Sequence, residues 1–289
     1  AQHASGRNSG VLHAGFYYAP DTLKAQLTRD GNAMLREFCA EAGVRVKNPG
    51  KVVVATSEEQ LPALNTLYER GVANGVELER IDELQLRELE PLARTVSAAL
   101  WSPTTGVANP AEVVEALAQR VRDRGGEIQL GAQVVSAEPG SITVKNGDVI
   151  SCGHLLNAAG LYADTVAHWF GVGLDYRMLP FKGLYWYGNW PVDTLQRHIY
   201  PVPDSRNPFL GVHLTVTVNG RVKIGPTAIP SLWREDYGVV SGFNAREFGG
   251  VARTFPRFLA SNEHDVLGLI RTELPKYSQK HLVKQGQRL

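Results

Sequence analysis

Apolar positions recur along the chain with two different periods. Up to about residue 176, helical spacing alternates with short strand-like runs. From 177 on, strand-like, aromatic-rich segments take over. Leu23, Leu27, Met34, Leu35 and Phe38 predict an amphipathic helix over about 21–41. Val52 to Thr56 is a β-branched strand. It leads into a helix opened by a Ser57/Gln60 capping box, with Leu61, Leu64, Leu67 and Val72 as the buried face and Asn74-Gly75 as the stop. Asn109 caps a further helix with Pro110 in its first turn, a stripe of Val113, Val114, Leu117 and Val121, and Gly125-Gly126 at its end.

Short strands are expected near 127–130, 133–138 and 141–150, then a buried strand His154–Asn157 that exits through Ala158-Ala159-Gly160 into a helix at 162–170. Lys182–Tyr187, His198–Val202, Phe209–Val218 and Arg221–Gly225 read as successive antiparallel strands. Asn219-Gly220 reads as a two-residue hairpin turn. Arg234–Gly238 is loop-like, a helix covers 245–260, and the polar final 25 residues carry no clear core element. This order predicts an α/β layer followed by an antiparallel sheet.

A length of 289 residues suggests two domains, and 43% hydrophobic with 20% charged residues is a globular balance. The net charge of +1, without a basic run, gives no footprint for nucleic acid. Cys39 and Cys152 are too few for a disulfide scaffold or a thiolate zinc site, and read as thiols of a reducing compartment. No uncharged apolar run reaches the roughly 18 residues of a membrane span. The scattered histidines form no His-Glu-x-x-His pair, so no metal is expected, and no Gly-x-Ser-x-Gly elbow occurs.

The densest chemistry lies in the first 18 residues. Small residues at 4, 5, 6, 9 and 10 allow close approach to the backbone, and exposed amides with two hydroxyls and Arg7 suit a pyrophosphate or a polar ring edge. An ordinary Gly/Ser loop is the competing reading. His3-x-Ser5-Gly6-Arg7-Asn8-Ser9-Gly10-Val11-x-His13-Ala14-Gly15-x-Tyr17-Tyr18 resembles the flavoprotein family that includes D-amino-acid oxidase, glycine oxidase and sarcosine oxidase. Gly50-Lys51-x-x-Val54-Ala55-Thr56, Asn157 to Asp164, Pro180-Phe181-Lys182-Gly183, Ile199 to Pro203 and Phe209 to Thr215 match in the same order. The last of these is most similar to the L-2-hydroxyglutarate oxidase/dehydrogenase branch.

The resemblance implies an α/β, two-domain flavoprotein of the glutathione-reductase-like FAD-binding type, with a mixed or antiparallel substrate-domain sheet. Residues 1–48 and 105–176 would form the FAD domain, 49–104 and 177–262 the substrate domain, and 263–289 a tail. The family's opening strand, its Gly-x-Gly-x-x-Gly turn with an acidic ribose partner, and its C-terminal return are not found here. The chain is therefore read as incomplete at both ends. The 289 residues expressed alone are expected to be colourless, aggregation-prone and inactive, with 177–225 the best-ordered part.

By the same resemblance, Ser5, Gly6, Arg7, Asn8, Ser9 and Gly10 would lie along the FAD pyrophosphate and ring. Val134 would meet the adenine through its backbone, and Ala158, Ala159 and Gly160 would pass beneath the dinucleotide. The implied substrate is a small 2-hydroxy diacid, L-2-hydroxyglutarate, oxidised to 2-oxoglutarate with a membrane quinone or dioxygen as acceptor. The implied location is the cytoplasm, with at most peripheral membrane contact. Tyr17, Lys182, Tyr200 and Thr215 are the candidate substrate-binding residues. His13 and His213 are the candidate bases, since imidazole titrates near working pH. Each residue also has a purely structural reading: a snorkelling lysine, a core tyrosine, a satisfied histidine. An amino-acid oxidase of the same superfamily, or a non-catalytic remnant without cofactor, are the competing functions.

Overall fold

The computed structural model describes residues 2–203, 211–238, 242–260, 268, 271 and 273–289. Phe209 and Leu210, part of an expected strand, lie outside them. The chain divides into two compact units: residues 1–116, 183–228 and 263–289, and residues 117–182 and 229–262.

The first unit is built on a seven-stranded mixed sheet. Its strands are β1 (Lys51–Val54), β2 (Glu79–Ile81), β3 (Ala99–Ser102), β4 (Trp186–Tyr187), β5 (His198–Pro201), β6 (His213–Val216) and β7 (Val222–Gly225). Their spatial order is β4-β7-β6-β5-β1-β3-β2. β5 and β1 run parallel, with His198 opposite Lys51, and the other neighbours are antiparallel. Side chains alternate across a strand, so the sheet has two buried faces. Val53, Leu100 and Tyr200 join Phe16, Leu64 and Leu67 on one face. Val52, Val54, Ile199, Val216 and Val222 join Leu86, Leu195 and Leu289 on the other.

Helix Leu23–Glu41 forms where its spacing predicts, capped by Thr22, but it turns a different face inward. Ala25, Asn32 and Cys39 are buried, while Leu23, Leu27 and Met34 are about 70% exposed. Asn32 sets the rotation, because its Nδ2 donates to the carbonyls of Leu12 (2.8 Å), His13 (3.2 Å) and Thr104 (3.2 Å). Helix Leu61–Ala73 buries Leu64, Leu67 and Gly71, and Val72 is exposed. Its entry is a 3-10 turn, Glu58–Gln60, with no capping box. Gln60 instead accepts from the Thr56 amide, because the tighter turn carries its side chain one residue further back. A capping box does form at Asp82/Gln85, where helix Glu83–Leu89 starts.

The loop from β6 to β7 is longer than the expected two-residue turn. The Thr217 amide donates to the Arg221 carbonyl, and only Gly220 takes positive φ (76°), so a turn followed by a left-handed glycine closes the hairpin. The C-terminal stretch also has a core element, contrary to the sequence reading. Helix Gln279–Gly286 buries Leu282 against Ile224 and Val212, and a Cβ on Gly286 would meet Ile224 at 2.4 Å. Its high polar content hid a single well-placed apolar contact.

In the second unit, Val134–Glu138, Ser141–Val144 and Val149–Ser151 form an antiparallel meander. Residues 127–130 are not a strand. His154–Asn157 is exposed and without regular secondary structure rather than a buried strand, since none of the described strands pairs with it. Phe181–Lys182 pairs with Ile229–Pro230, so the expected strand Lys182–Tyr187 is split between the units. Helices Ala163–Trp169 and Ala245–Ala260 form as expected. Arg234 grips Asp164 through two contacts (2.5 and 2.9 Å); although burial pushes the Asp164 carboxyl up, these bonds hold it down at about 2. Helix Pro110–Asp123 leads from the first unit into the second. Its cap forms, the Ala111 amide donating to Asn109 Oδ1, but Leu117 and Val121 of its stripe stay 44% exposed. Among the described residues, no helix is long and apolar enough to cross a membrane.

Candidate functional site

The strand register places an unusual set of side chains on one face of the first unit's sheet. Lys51 faces the same way as Ser102 opposite it on β3 and His198 on β5. Tyr200 follows two residues later, and His213 and Thr215 on β6 with Lys223 on β7 continue the row. All are buried. His13 follows the short strand Val11–Leu12, and Asn32 fixes its carbonyl.

Lys51 is the centre of this cluster. Its Nζ lies 3.3 Å from His13 Nδ1 and over the rings of Tyr200 (4.3 Å), Tyr17 (4.9 Å) and Phe16 (5.3 Å). Burial pulls its ammonium down from 10.5 to about 7. Lys223 donates to the Ser9 carbonyl (2.7 Å) and lies 4.9 Å from the Tyr185 ring centre, and burial lowers it to about 8. His213 stacks on Tyr200 with ring centres 3.7 Å apart and planes at 15°. Burial above all lowers His13, His198 and His213, the last to about 3, and every charge acting on the three rings is positive. The hydroxyls of Tyr17, Tyr200 and Thr215 are buried without a hydrogen-bond partner among the described residues. Burial raises both tyrosines.

The structure therefore brings together His13, His213, Tyr17, Tyr200 and Thr215, five of the six residues expected at the substrate. Lys182 belongs to the second unit, where its Nζ pairs with Asp236 at 2.8 Å. Sequence reading did not single out Lys51, Lys223 or His198 for chemistry. The signal for Lys51 was a charge opening a strand of three valines, a run that buries both faces.

The expected cofactor residues are small and largely bare. Ser5 to Gly10 form a loop held by Asn8, whose Oδ1 accepts from the Gly10 amide (2.8 Å) and whose Nδ2 donates to the Ser5 carbonyl (2.8 Å). Arg7 donates to the Gln2 carbonyl at 2.5 Å. In the second unit, Ala158, Ala159 and Gly160 are exposed, and nothing lies within 4 Å of where a Gly160 Cβ would stand. Val134 sits on an exposed strand of the meander. The exposed Ser5 and Asn8 and the open space around Gly160 fit a flat dinucleotide that lies along the backbone.

Residues 1–273 match the DAO family, described as FAD dependent oxidoreductase. The L-2-hydroxyglutarate dehydrogenase of Escherichia coli (strain K12) is 37% identical over 242 residues, 82% of this chain and 57% of that protein. That of Indibacter alkaliphilus is 40% identical over 243 residues, 82% of this chain and 61% of that protein. The mitochondrial enzyme of Homo sapiens is 37% identical over 254 residues, 82% of this chain and 55% of that protein. The chain thus spans somewhat more than half the length of these relatives. Among solved structures, glycine oxidase from Geobacillus kaustophilus superposes with TM-score 0.67 at 20% identity, covering 86% of this chain and 67% of that one. L-alpha-glycerophosphate oxidase from Mycoplasma pneumoniae, solved with FAD bound, gives 0.68 at 20% identity, covering 88% and 68%. These two likenesses concern the fold alone.

Proposed function

Because the chain belongs to the FAD-dependent oxidoreductase (DAO) family, we propose that its protein oxidises L-2-hydroxyglutarate to 2-oxoglutarate. FAD, when bound, accepts the hydride from the substrate carbon. The observation that carries the reading is the charge of the sheet face. Two buried lysines, three imidazoles and three buried hydroxyls stand together, and among the described residues no carboxylate acts on the rings. Such a face is costly until an anion enters it. A diacid brings two negative charges and enough acceptors for the unpaired donors. The face has aromatic rings that the ammonium of an amine substrate could meet, but Lys51 and Lys223 already stand over them, and among the described residues no acid acts on it to offset a further positive charge.

Lys51 and Lys223 supply the positive charge, and Tyr17, Tyr200 and Thr215 donate to carboxylate oxygens. Ser5 to Gly10 are the cofactor residues of the first unit, and Val134 and Ala158 to Gly160 are the candidates in the second. Electrons leave to dioxygen or to a quinone reached by peripheral contact with a membrane.

Flavin reduction followed by stopped flow tests the reading. L-2-hydroxyglutarate should reduce the flavin with a kcat/KM about 10–100-fold above that of 2-hydroxybutyrate, which leaves a charged donor unpaired. Equal use of the two acids, or faster reduction by glycine or sarcosine, would sink it. The lysines also set a pH dependence. Their ammonium forms bind the dianion, and in the free protein they lose their protons near 7 and 8. KM should therefore be lowest below about pH 7 and rise as pH passes 8.

A further inference from the structure

Hydrogen bonds sort the three histidines of the sheet face into two kinds. A neutral imidazole carries one proton, so a ring whose Nδ1 accepts holds that proton on Nε2, and a ring whose Nδ1 donates leaves Nε2 bare. His198 Nδ1 faces the Val216 amide at 3.1 Å. An amide N–H only donates, so His198 is protonated on Nε2. His13 Nδ1 faces the Lys51 Nζ at 3.3 Å. Below about pH 7, where Lys51 keeps its proton, the ammonium only donates, so His13 too carries its proton on Nε2 there. His213 Nδ1 faces the Gly211 carbonyl oxygen at 2.9 Å. A carbonyl only accepts, so His213 alone presents an unprotonated Nε2.

Resting on the L-2-hydroxyglutarate reading, we propose that His213 is the catalytic base, and that Lys51 is a positioning residue that holds His13 as a hydrogen-bond donor. The substrate O–H bond breaks and its proton goes to His213 Nε2. The electron pair left on oxygen forms the C=O bond. The Cα hydrogen departs with its bonding pair to FAD, so the substrate loses two electrons and the flavin gains them. Stacking on Tyr200 fixes the His213 ring plane. The Gly211 carbonyl favours the imidazolium, and the two carboxylates of a bound diacid offset the lysine charges that oppose it. At His13, Lys51, His213 and His198 all disfavour a charge, and among the described residues no acceptor is seen to favour it. His13 keeps its Nε2–H and donates it to a substrate oxygen.

Long-range ¹H–¹⁵N spectra of the protein labelled with ¹⁵N-histidine test this without turnover, with peaks assigned from single His→Gln variants. At pH 6, where Lys51 is an ammonium, His213 should appear as the Nδ1–H tautomer, and His13 and His198 as Nε2–H. Lys51→Met should leave His13 as a mixture of tautomers and His213 unchanged, and Lys51→Arg, which also only donates, should restore the single His13 form. In stopped flow, His213→Gln should slow flavin reduction by about 10²–10⁴-fold, and His13→Gln by less than about tenfold with the larger change in KM. An Nε2–H tautomer at His213, or a His13→Gln variant slower than His213→Gln, would overturn the assignment. If the unaltered protein is not reduced by L-2-hydroxyglutarate at all, the substrate reading fails, and the tautomers still decide the roles of the two rings.

Discussion

Lys51→Met should make the protein more stable and at the same time ruin its site. The ammonium of Lys51 is fully buried, faces aromatic rings, and has a histidine nitrogen in place of a carboxylate. Burial has lowered it from 10.5 to about 7. Below pH 7 the folded and unfolded chains both carry the proton, and the folded state bears the whole cost of the buried charge. Between about 7 and 10.5 the folded chain has shed the proton while the unfolded chain keeps it, so stability rises with pH across that window. Methionine keeps the length and removes the charge. At roughly 1.4 kcal/mol per pH unit, the gain at pH 6 is on the order of 5 kcal/mol, shrinking towards pH 10. The same change should raise KM for the diacid at least about tenfold, because a cation and the partner of His13 are both lost. Thermal melts of the two proteins at pH 6 and pH 10, beside KM values, check both halves. A variant no more stable than the original at pH 6 would show that Lys51 is not an uncompensated charge.

Much of this face was legible in the sequence, and the reason is periodicity. His198 and Tyr200, and His213 and Thr215, are spaced by two in strand-like runs, so each pair had to share a face once those strands formed. Tyr17 and His13 were legible only through the motif that surrounds them. Lys51 left only an ambiguous signal, because a lysine at the head of a buried valine run also suits a solvent-facing strand end. What buries it is the parallel pairing of β1 with β5, a contact between segments well over a hundred residues apart that no local pattern reports. Lys182 stood out for a similar local reason, a charge at the head of an aromatic strand, and the structure gives it Asp236 as a partner. The rotation of helix Leu23–Glu41 shows the limit in another form. Five apolar residues pointed to one face, and a single asparagine with three backbone carbonyls to satisfy decided for another. Unmet hydrogen bonds in a buried position outweigh leucines left mostly in water.

Gly50→Ala is expected to be the most damaging small substitution next to this site. Gly50 immediately precedes Lys51 and takes φ of +65°, a conformation that costs an L-residue roughly 1–2 kcal/mol. A Cβ there would stand 2.0–2.9 Å from three carbons of the Trp101 ring. That ring has little room to retreat. Trp101 is paired with Val52 in the sheet, and the Arg197 guanidinium lies 5.2 Å from its ring centre on the same side chain. The backbone cannot easily yield either, since the Gly50 amide donates to the Thr105 carbonyl (3.0 Å) and its carbonyl accepts from the His198 amide (3.2 Å). Overpacking of this kind costs about 1–3 kcal/mol beyond the backbone term. The total, about 2–5 kcal/mol, should lower Tm by roughly ten degrees for a unit of this size. Shrinking the ring with Trp101→Leu in the same chain should recover the overpacking part and leave the φ part, so the double variant should be more stable than Gly50→Ala alone. If Gly50→Ala unfolds within about 1 kcal/mol of the original, the tight seat that aims Lys51 at His13 does not exist as described.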